Sequence, residues 1–395
     1  MNELSVLGRV TAVRAVGRVW RGAVHAVATL ALLGSAGCAS AVECQADGLA
    51  YVGTDTSAVQ AVRFDACTGR LSALGTVAEL PKPRWVVAHP KLPVVYVGNE
   101  GRRKEGGVSA FGFDRRSGAL TPLNDVDAGG AGTTFLALDV PSMTLLAANF
   151  GGGSAASLSI EADGRVSPVV SRVVATGSGP HRRQTSPHAH AVTIDPSGTY
   201  ALVPDMGADR LFVYDFDRAS RTLSADAGVP PRSYAFPPGS GPRRALFGAT
   251  GRYVYVLSEL TAEISVMRWS DEVGRLVMVQ TLPTSTPEFK GGRSVSEIAL
   301  SRDGRFVYVG DRGENTLVVY AIDPKAGTLT LVQRLPSGGE GPWAFELHPS
   351  GRWLVVANYR SDRLNTFAVD VATGRLTDTG ESLVSKTPVS VTFVN

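Results

Sequence analysis

One short phrase recurs along this chain at nearly constant spacing, and this repetition limits the possible folds more than any other feature. A Pro/Asp/Gly turn followed by β-branched and aromatic residues occurs around Gly198, Gly251, Gly304 and Gly351, in steps of 53, 53 and 47 residues. HPKLPVVYVGNE and DVPSMTLLAANF are degenerate upstream copies, and LAYVGTD is a truncated first copy. Such a period indicates stacked supersecondary units of one kind.

Each repeat has the same internal order, which predicts four β-strands. An apolar run leads into the turn, and a run such as RFVYVG follows it. An alternating segment such as NTLVVYAID, a second glycine turn and a final strand complete the unit. Tight turns between such segments are typical of antiparallel strands, and helix signals are nearly absent beyond the N-terminal segment. Four-stranded units of about 50 residues are typical of β-propeller blades.

The two ends of the repeat array predict a closed ring. Seven units begin near residues 50, 83, 132, 187, 241, 294 and 341. The first unit lacks its opening strand, whereas residues 387–395 form an opening strand with nothing after it. We therefore predict an all-β fold over residues 42–395, a single seven-bladed β-propeller with four-stranded blades, in which the C-terminal strand completes the first blade. An open solenoid is disfavoured because it would leave a half-unit and an exposed strand edge at each end.

Residues 1–41 differ from the rest of the chain and resemble an export signal with a short linker. A basic stretch precedes the apolar segment AVHAVATLALLGSAGC, which is too short for a permanent membrane-spanning helix. ASA at 39–41 suits ordinary signal cleavage. GSAGC, ending at Cys38, resembles a lipoprotein signal in which the cysteine carries lipid, although Ser35 stands where leucine is usual. We predict an exported protein that is periplasmic, secreted or anchored to the membrane through Cys38.

The net charge limits the kinds of binding partner that we expect, and the cysteine count predicts a disulfide. The formal charge is +3, and the leader contributes that whole excess, so the remainder has no basic footprint for nucleic acid. Once Cys38 is removed or lipidated, Cys44 and Cys67 remain. In an oxidising compartment this pair predicts a disulfide, and two free or buried thiols are the alternative. We expect a monomer that binds a small molecule.

Equivalent positions in the repeats predict which side chains surround the ring axis. The start of each inner strand and the end of the second strand meet on one rim, because neighbouring strands are antiparallel. Eight residues before the turn glycine, or its equivalent, the sequence has Arg84, Thr134, His190, Arg243, Ser296 and Trp343, with Val389 closing the ring. Seven or eight residues after the glycine it adds Asp205, Glu259 and Arg312.

The predicted rim combines guanidinium, imidazole and carboxylate groups, which suits an anionic ligand or a polarised carbonyl. The candidate catalytic residues are His190, Glu259, Arg243 and Arg312, and the candidate substrate-binding residues are Arg84, His188, Asp205, Glu297 and Trp343. The alternative is a polar rim whose charges are merely solvated or paired. Zinc is disfavoured because His188 and His190 have few partners to complete a ligand set. Phosphate-loop, nucleophile-elbow and dinucleotide motifs are absent from suitable settings, so we predict no cofactor and no metal.

Several stretches resemble the seven-bladed propeller lactonases, which include metal-independent 6-phosphogluconolactonases and fungal carboxymuconate-lactonizing enzymes. They are RQTSPHAHAVTIDPSGTYALVPDMGADRLFVYDFD, GPRRALF, YVYVLSEL, SVSEIALSRDGRFVYVGDRG and LHPSGRWLVVANYRSDRLNTFAVD. The resemblance covers about residues 50–395, and PHAH is its most specific element. In the muconate enzymes the implicated site combines a histidine, two arginines and a glutamate. By motif these fall on His190, Arg243, Arg312 and Glu259.

The resemblance implies hydrolysis of a small anionic or sugar lactone. The two arginines would hold an anionic group and stabilise oxyanion charge, while Glu259 and His190 would exchange protons with water and the leaving oxygen. An exported binding propeller for an anionic sugar or a protein, and muconate lactonization at the same site, stay open as alternatives. The sequence departs from relatives at Arg244, Trp343 and Glu314. An exported protein would not ordinarily meet 6-phosphogluconolactone, which is a cytoplasmic metabolite.

Overall fold

The computed structural model describes residues 48–101, 105–225 and 232–394, and strands dominate these segments. They form seven separate antiparallel sheets, so the predicted seven-bladed all-β fold is confirmed. The first three blades are built largely from β1 (Gly48–Thr54), β2 (Ala58–Phe64), β3 (Leu71–Glu79), β4 (Trp85–Ala88), β5 (Val94–Asn99), β6 (Gly107–Phe113), β7 (Leu120–Asp127), β8 (Thr133–Asp139), β9 (Thr144–Asn149), β10 (Ser154–Ile160) and β11 (Val166–Val174), with a short 3₁₀ helix at Val140–Ser142.

The remaining strands complete the ring in chain order. They are β12 (Thr193–Ile194), β13 (Tyr200–Asp205), β14 (Arg210–Asp217), β15 (Thr222–Ser224), β16 (Ser233–Ala235), β17 (Pro242–Phe247), β18 (Tyr253–Ser258), β19 (Glu263–Ser270), β20 (Arg275–Pro283), β21 (Val295–Leu300), β22 (Phe306–Asp311), β23 (Thr316–Ile322), β24 (Leu329–Pro336), β25 (Pro342–Leu347), β26 (Trp353–Asn358), β27 (Arg363–Val369), β28 (Leu376–Val384) and β29 (Pro388–Val394). In the fourth blade β15 and β16 pair with different parts of β14, so together they take the place of one outer strand.

The C-terminal strand closes the ring, as the orphan half-units predict. Strand β29 pairs antiparallel with β1, and every residue of β29 is buried. Its apolar side chains join a cluster that packs the seventh blade against the first. Six further clusters occupy the other six interfaces between neighbouring blades of the described chain. Burial of each large apolar side chain of β29 contributes roughly 1.5–3 kcal/mol, so closure is strongly favoured.

A tyrosine that recurs in the second strand links each of three blades to the next. Its hydroxyl donates to the carbonyl of the glycine in the following blade's outer turn. The pairs are Tyr51 with Gly118, Tyr96 with Gly164 and Tyr255 with Gly327, each at 3.1 Å. Gly327 has a φ of 69°, and an added Cβ would lie 2.3 Å from the ring of Tyr253, so only glycine fits there. The repeat thus encodes the contacts between blades as well as the strands within them.

β-Bulges interrupt the start of several inner strands. The pairing register shifts between Thr133 and Phe135 in β8, between Pro242 and Arg244 in β17, and between Pro342 and Ala344 in β25. A bulge places two residues opposite one and changes which way their side chains point. For this reason the consecutive residues Arg243 and Arg244 both line the same cavity.

The fourth blade departs from the predicted regular inner strand. The sequence predicts His190 at the head of that strand, but β12 begins only at Thr193, after an isolated bridge between Ala189 and Asp205. The Asp205 carboxylate accepts the backbone N–H of His188 at 2.8 Å, so a side chain takes the place of the ladder partner there. His190 therefore lies in an irregular segment fixed by Asp205.

The N-terminal predictions concern residues 1–47, which lie outside the described residues. They include the leader over 1–41, the domain boundary at residue 42, the lipidation of Cys38 and the participation of Cys44 in a disulfide. Cys67 is disulfide-bonded, and its pairing with Cys44 stays a prediction. Among the described residues, helices with the length and hydropathy needed to cross a membrane are absent.

Candidate active site

The inner strands enclose one small cavity at the ring axis. Its lining consists of Arg84, Trp85, Thr134, His190, Arg243, Arg244, Trp343 and Val389. Six of these eight occupy the positions that the repeat alignment predicts for the rim. The cavity encloses about 50 Å³, which is room for a few water molecules rather than a sugar ring. A substrate therefore has to lie at the opening and direct one end inward, or displace side chains.

Glu259 is the centre of a charged group beside this cavity. One carboxylate oxygen, Oε1, lies 2.9 Å from Nη2 of Arg312 and accepts from Nη1 of Arg183 at 2.6 Å. The other, Oε2, accepts from Nη1 of Arg243 at 3.0 Å. We call these four residues the mouth cluster. Three guanidinium groups face one carboxylate, which leaves an excess of two positive charges.

The glutamate of the mouth cluster is held in its ionised form. Glu259 is 1% exposed, and burial alone would raise its pKa. The guanidiniums of Arg312, Arg243 and Arg183 outweigh burial and hold the pKa far below its ordinary value. A carboxylate with so low a pKa is a poor proton acceptor at neutral pH, so Glu259 is better suited to orienting the arginines than to acting as a base.

His190 contacts the mouth cluster through Arg243. Its Nε2 is hydrogen-bonded to Nη1 of Arg243, and its Nδ1 has no hydrogen-bond partner among the described residues. Burial, assisted by the positive charges of Arg243 and Arg244, lowers the pKa of His190 well below its ordinary value. The imidazole is therefore neutral near pH 7. Because a guanidinium only donates, Nε2 is the acceptor and Nδ1 carries the proton.

Two arginines of the mouth cluster are fixed by backbone carbonyls and by an indole ring. Arg243 donates from Nε to the carbonyl of Ser296 at 2.6 Å, and Arg312 donates from Nη2 to the carbonyl of Val295 at 3.1 Å. The Arg312 guanidinium also lies over the ring of Trp343, 4.4 Å from its centre, as in a cation–π contact. Burial and the nearby Arg312 lower the pKa of Arg243 to about 9.

The neighbour of Arg243 on the bulge belongs to a different arrangement. Arg244 forms a two-pronged ion pair with Glu297, donating from Nε at 2.9 Å and from Nη2 at 2.8 Å. Its guanidinium packs against the adjacent rings of Trp85 and Phe135, 4.4 and 4.2 Å from their centres. We call Arg244 and Glu297 the axial pair. Glu297, which the sequence predicts as a substrate-binding residue, is instead occupied by Arg244 in a balanced pair.

Two more predicted substrate-binding residues contact the protein rather than the cavity. The ring of His188 stacks on Phe150 with centres 4.4 Å apart, and its Nδ1 lies 2.9 Å from the Phe150 carbonyl oxygen. The buried Asp205 accepts backbone N–H groups from His188, Gly207 and Ala208. Both residues shape the segment that carries His190.

Blades seven, one and two form the opposite side of the opening, where Arg84 and Lys82 balance two carboxylates, with Lys82 lying 3.1 Å from Glu100. Arg84 lies 2.8 Å from Asp55 and 3.6 Å from Glu100. The Tyr359 hydroxyl donates to Asp55 at 2.9 Å, and its ring tilts against Trp343 with centres 4.9 Å apart. Arg84 and Trp343 thus line the cavity as the sequence predicts, but the charge of Arg84 is already compensated.

Arg183 is a member of the mouth cluster that the repeat pattern does not predict. This residue lies on the loop that precedes the fourth blade, outside the repeat, so no alignment of blades could place it at the rim. The signal was its position at the start of RQTSPHAH, the stretch that most resembles known lactonases. Among the described residues there is no cluster of three or more histidine, cysteine, aspartate and glutamate side chains that could hold a metal ion.

Comparisons with known proteins agree with this fold over nearly its whole length. The family model "Lactonase, 7-bladed beta-propeller" matches residues 49–393. The 6-phosphogluconolactonase of Bacillus subtilis is 30% identical over 351 residues, covering 88% of this chain and 98% of the relative. The 6-phosphogluconolactonase of Formosa agariphila is 27% identical, covering 81% and 91%. The solved structure of a periplasmic gluconolactonase from Pseudomonas aeruginosa has a TM-score of 0.82 at 33% identity, covering 89% of this chain and 99% of the relative.

Proposed function

Because this chain belongs to the seven-bladed β-propeller lactonase family, we propose that it hydrolyses a small lactone at the opening of the propeller. The location is supported by the meeting of His190 and Arg243 at one cavity, with Glu259 hydrogen-bonded to Arg243 beside it. Relatives named 6-phosphogluconolactonase and gluconolactonase support the reaction type. The substrate belongs to the sugar lactones or their anionic derivatives.

The charge of the mouth cluster favours a substrate that is or becomes anionic. Arg243 and Arg312 are almost fully buried, so their charges are poorly screened by water. Attack on a lactone carbonyl converts its oxygen into an oxyanion, and a guanidinium aimed at that oxygen stabilises the transition state more than the ground state. We assign this role to Arg243, because it lines the cavity and contacts His190.

His190 supplies the proton transfers. A water molecule held between Nε2 and the lactone carbonyl carbon would take the place of the Arg243 contact. As the water oxygen bonds to that carbon, Nε2 accepts its proton and the carbonyl oxygen becomes negative. When the ring C–O bond breaks, the same imidazolium donates its proton to the leaving oxygen and becomes neutral again. The products are a ring-opened hydroxy acid and the unchanged imidazole.

Glu259 takes no proton in this scheme. It holds the three guanidinium groups of the mouth cluster at one place, and its charge offsets part of their repulsion. The remaining excess of positive charge repels a divalent cation. A hydrolysis without metal therefore suits this site, since the arginines supply the charge stabilisation that a metal ion supplies elsewhere.

The proposal includes export of the chain. The leader-like character of residues 1–41 supports it, and the relative from Pseudomonas aeruginosa is a periplasmic gluconolactonase. Outside the cytoplasm the natural substrate would be a sugar-acid lactone rather than a phosphorylated intermediate of central metabolism.

The test is acid release in a pH-stat, with spontaneous hydrolysis subtracted and the protein treated with a chelator. The panel comprises 6-phosphoglucono-δ-lactone, glucono-δ-lactone and the 1,4-lactone of glucaric acid. Hydrolysis of at least one lactone well above the spontaneous rate is expected. No acceleration with any of them would contradict the proposal. If the chelator abolished activity and added metal restored it, the lactonase proposal would stand and only its metal independence would be wrong.

A further inference from the structure

The mouth cluster contains one arginine that faces solvent. Arg183 has 42% of its side chain exposed, whereas Arg243 and Arg312 expose 2% and 7%. Only one of its side-chain N–H groups is engaged among the described residues, in the 2.6 Å contact with Glu259. A guanidinium carries five such donors, so most of this group is free to bind a ligand that approaches from outside.

Glu259 does not require Arg183 for neutralisation. Oε1 already lies 2.9 Å from Arg312, and Oε2 already accepts from Arg243 at 3.0 Å. A third guanidinium at the same carboxylate adds repulsion with the other two, and Arg312 has Arg360 as a further cationic neighbour. Such an arrangement becomes favourable when a second anion joins it, because each guanidinium then has a negative partner.

The loop beneath Arg183 is built to hold it in place. The next residue, Gln184, is fully buried, and its side-chain amide donates to the carbonyl of Met206 at 2.8 Å and to Asp209 at 2.6 Å. The Gln184 amide oxygen accepts the backbone N–H of His181, and its own backbone N–H donates to the His181 carbonyl. Fixing the loop in this way lowers the entropy that Arg183 would lose on binding a ligand.

We infer that Arg183 is a specificity residue that binds a second anionic group, a carboxylate or a phosphate, on the substrate lactone. Arg243 serves the carbonyl at the cavity, and Arg183 reaches the far end of the same molecule at the solvent side of the opening. The site therefore prefers lactones that carry a negative charge over neutral sugar lactones. This inference rests on the proposed lactonase activity and names the chemistry that the site selects.

The experiment compares kcat/KM for three lactones in the native protein and two variants. The 6-phosphorylated gluconolactone and the glucaric acid lactone carry a phosphate and a carboxylate, and glucono-δ-lactone is neutral. Arg183→Gln is expected to lower kcat/KM for whichever charged lactone is the substrate by 10- to 100-fold more than for the neutral one. Most of that loss should lie in KM. Comparing the phosphorylated lactone with the carboxylated lactone shows which anionic group the site accepts.

Arg182→Gln is the matched control, because Arg182 is the neighbouring exposed arginine on the same loop and its side chain forms no hydrogen bond or ion pair with another described residue. It removes the same charge. The ratio of kcat/KM for each charged lactone to kcat/KM for the neutral lactone should therefore change by no more than about threefold. Equal losses for all three lactones in Arg183→Gln would mean that Arg183 only supports Glu259, and would overturn the inference. Unchanged ratios would overturn it as well. If the native protein hydrolyses none of the lactones, the proposed function fails instead.

Discussion

Two arginines next to each other in the sequence, Arg243 and Arg244, belong to two groups that differ in charge balance. In the mouth cluster three guanidiniums share one carboxylate. In the axial pair one guanidinium meets one carboxylate through two parallel contacts and packs against two adjacent aromatic rings. Both arginines line the same cavity. Only the first group is left with uncompensated charge that a ligand can use.

The difference shows that burial and proximity to a cavity do not identify a functional charge. The axial pair carries no net charge, although Nη1 of Arg244 has no hydrogen-bond partner among the described residues, so we assign it a structural role beside the cavity. Burying a cluster with uncompensated charge costs free energy of folding. Proteins keep such clusters where ligand binding or catalysis depends on them. We therefore expect substitutions in the two groups to affect different properties: catalysis at the mouth cluster and stability at the axial pair.

The largest expected effect is on turnover when Arg243 is removed. Arg243→Ala takes away the group assigned to the oxyanion and should lower kcat by about 10²–10³. The melting temperature should change little, because the variant also relieves repulsion among three guanidiniums. Steady-state hydrolysis of the preferred lactone and a thermal melt measure the two properties. A variant that keeps native turnover would show that the mouth cluster is not the site.

Removal of Arg244 should instead reduce the free energy of unfolding. Arg244→Ala leaves the carboxylate of Glu297 buried without its partner, a change that costs about 3–5 kcal/mol. The double variant Arg244→Ala with Glu297→Gln should recover part of that loss, because the unpaired charge is gone. Chemical denaturation of the native protein and both variants provides the measurement. If the single variant were as stable as the native protein, the axial pair would have no structural role.

The pH dependence of kcat/KM should reflect the ionisation of His190 and of Arg243. Because the pKa of His190 is lowered well below its ordinary value, its neutral, proton-accepting form persists at mildly acidic pH. The acidic limb of kcat/KM should therefore lie below pH 6.5, the ordinary pKa of an imidazole. Loss of charge on Arg243, whose pKa is about 9, should produce a decline above that pH. An acidic limb centred at or above pH 6.5 would exclude His190 as the base.

The smallest expected effect is stabilisation by a simple anion. Inorganic phosphate at ten times its dissociation constant would add about 1.4 kcal/mol to the free energy of unfolding. The native protein and the axial-pair double variant should both gain this stabilisation, and Arg243→Ala should lose it. Thermal melts across a phosphate titration at constant ionic strength would check the difference. Equal gains in all three proteins would place the phosphate somewhere other than the mouth cluster.

Much of the architecture follows from the repeat alone. The recurring turn glycines and β-branched segments predict the blades, and the orphan segment at 387–395 predicts that β29 completes the first blade. The repeat also places His190, Arg243 and Trp343 around one opening. Equivalent positions in a ring face a common axis. An alignment of the repeats therefore predicts which side chains surround that axis.

Residues outside the repeat, and the pairing of charges within it, could not be predicted in this way. Arg183 lies on a loop with no counterpart in other blades. The bulge in β17 turns Arg243 and Arg244 toward one cavity, whereas strict alternation would direct them apart. Which carboxylate each arginine meets depends on distances between blades. For that reason the position of Glu297 predicts a substrate-binding role but not its ion pair with Arg244.

A crystal structure with the ring-opened hydroxy-acid product of the preferred lactone would test the central claim most directly. We predict that the new carboxylate lies at the cavity within hydrogen-bonding distance of Arg243 and His190, and that the axial pair is undisturbed. A product molecule well ordered elsewhere on the propeller, with the mouth cluster untouched, would contradict the assignment of the site.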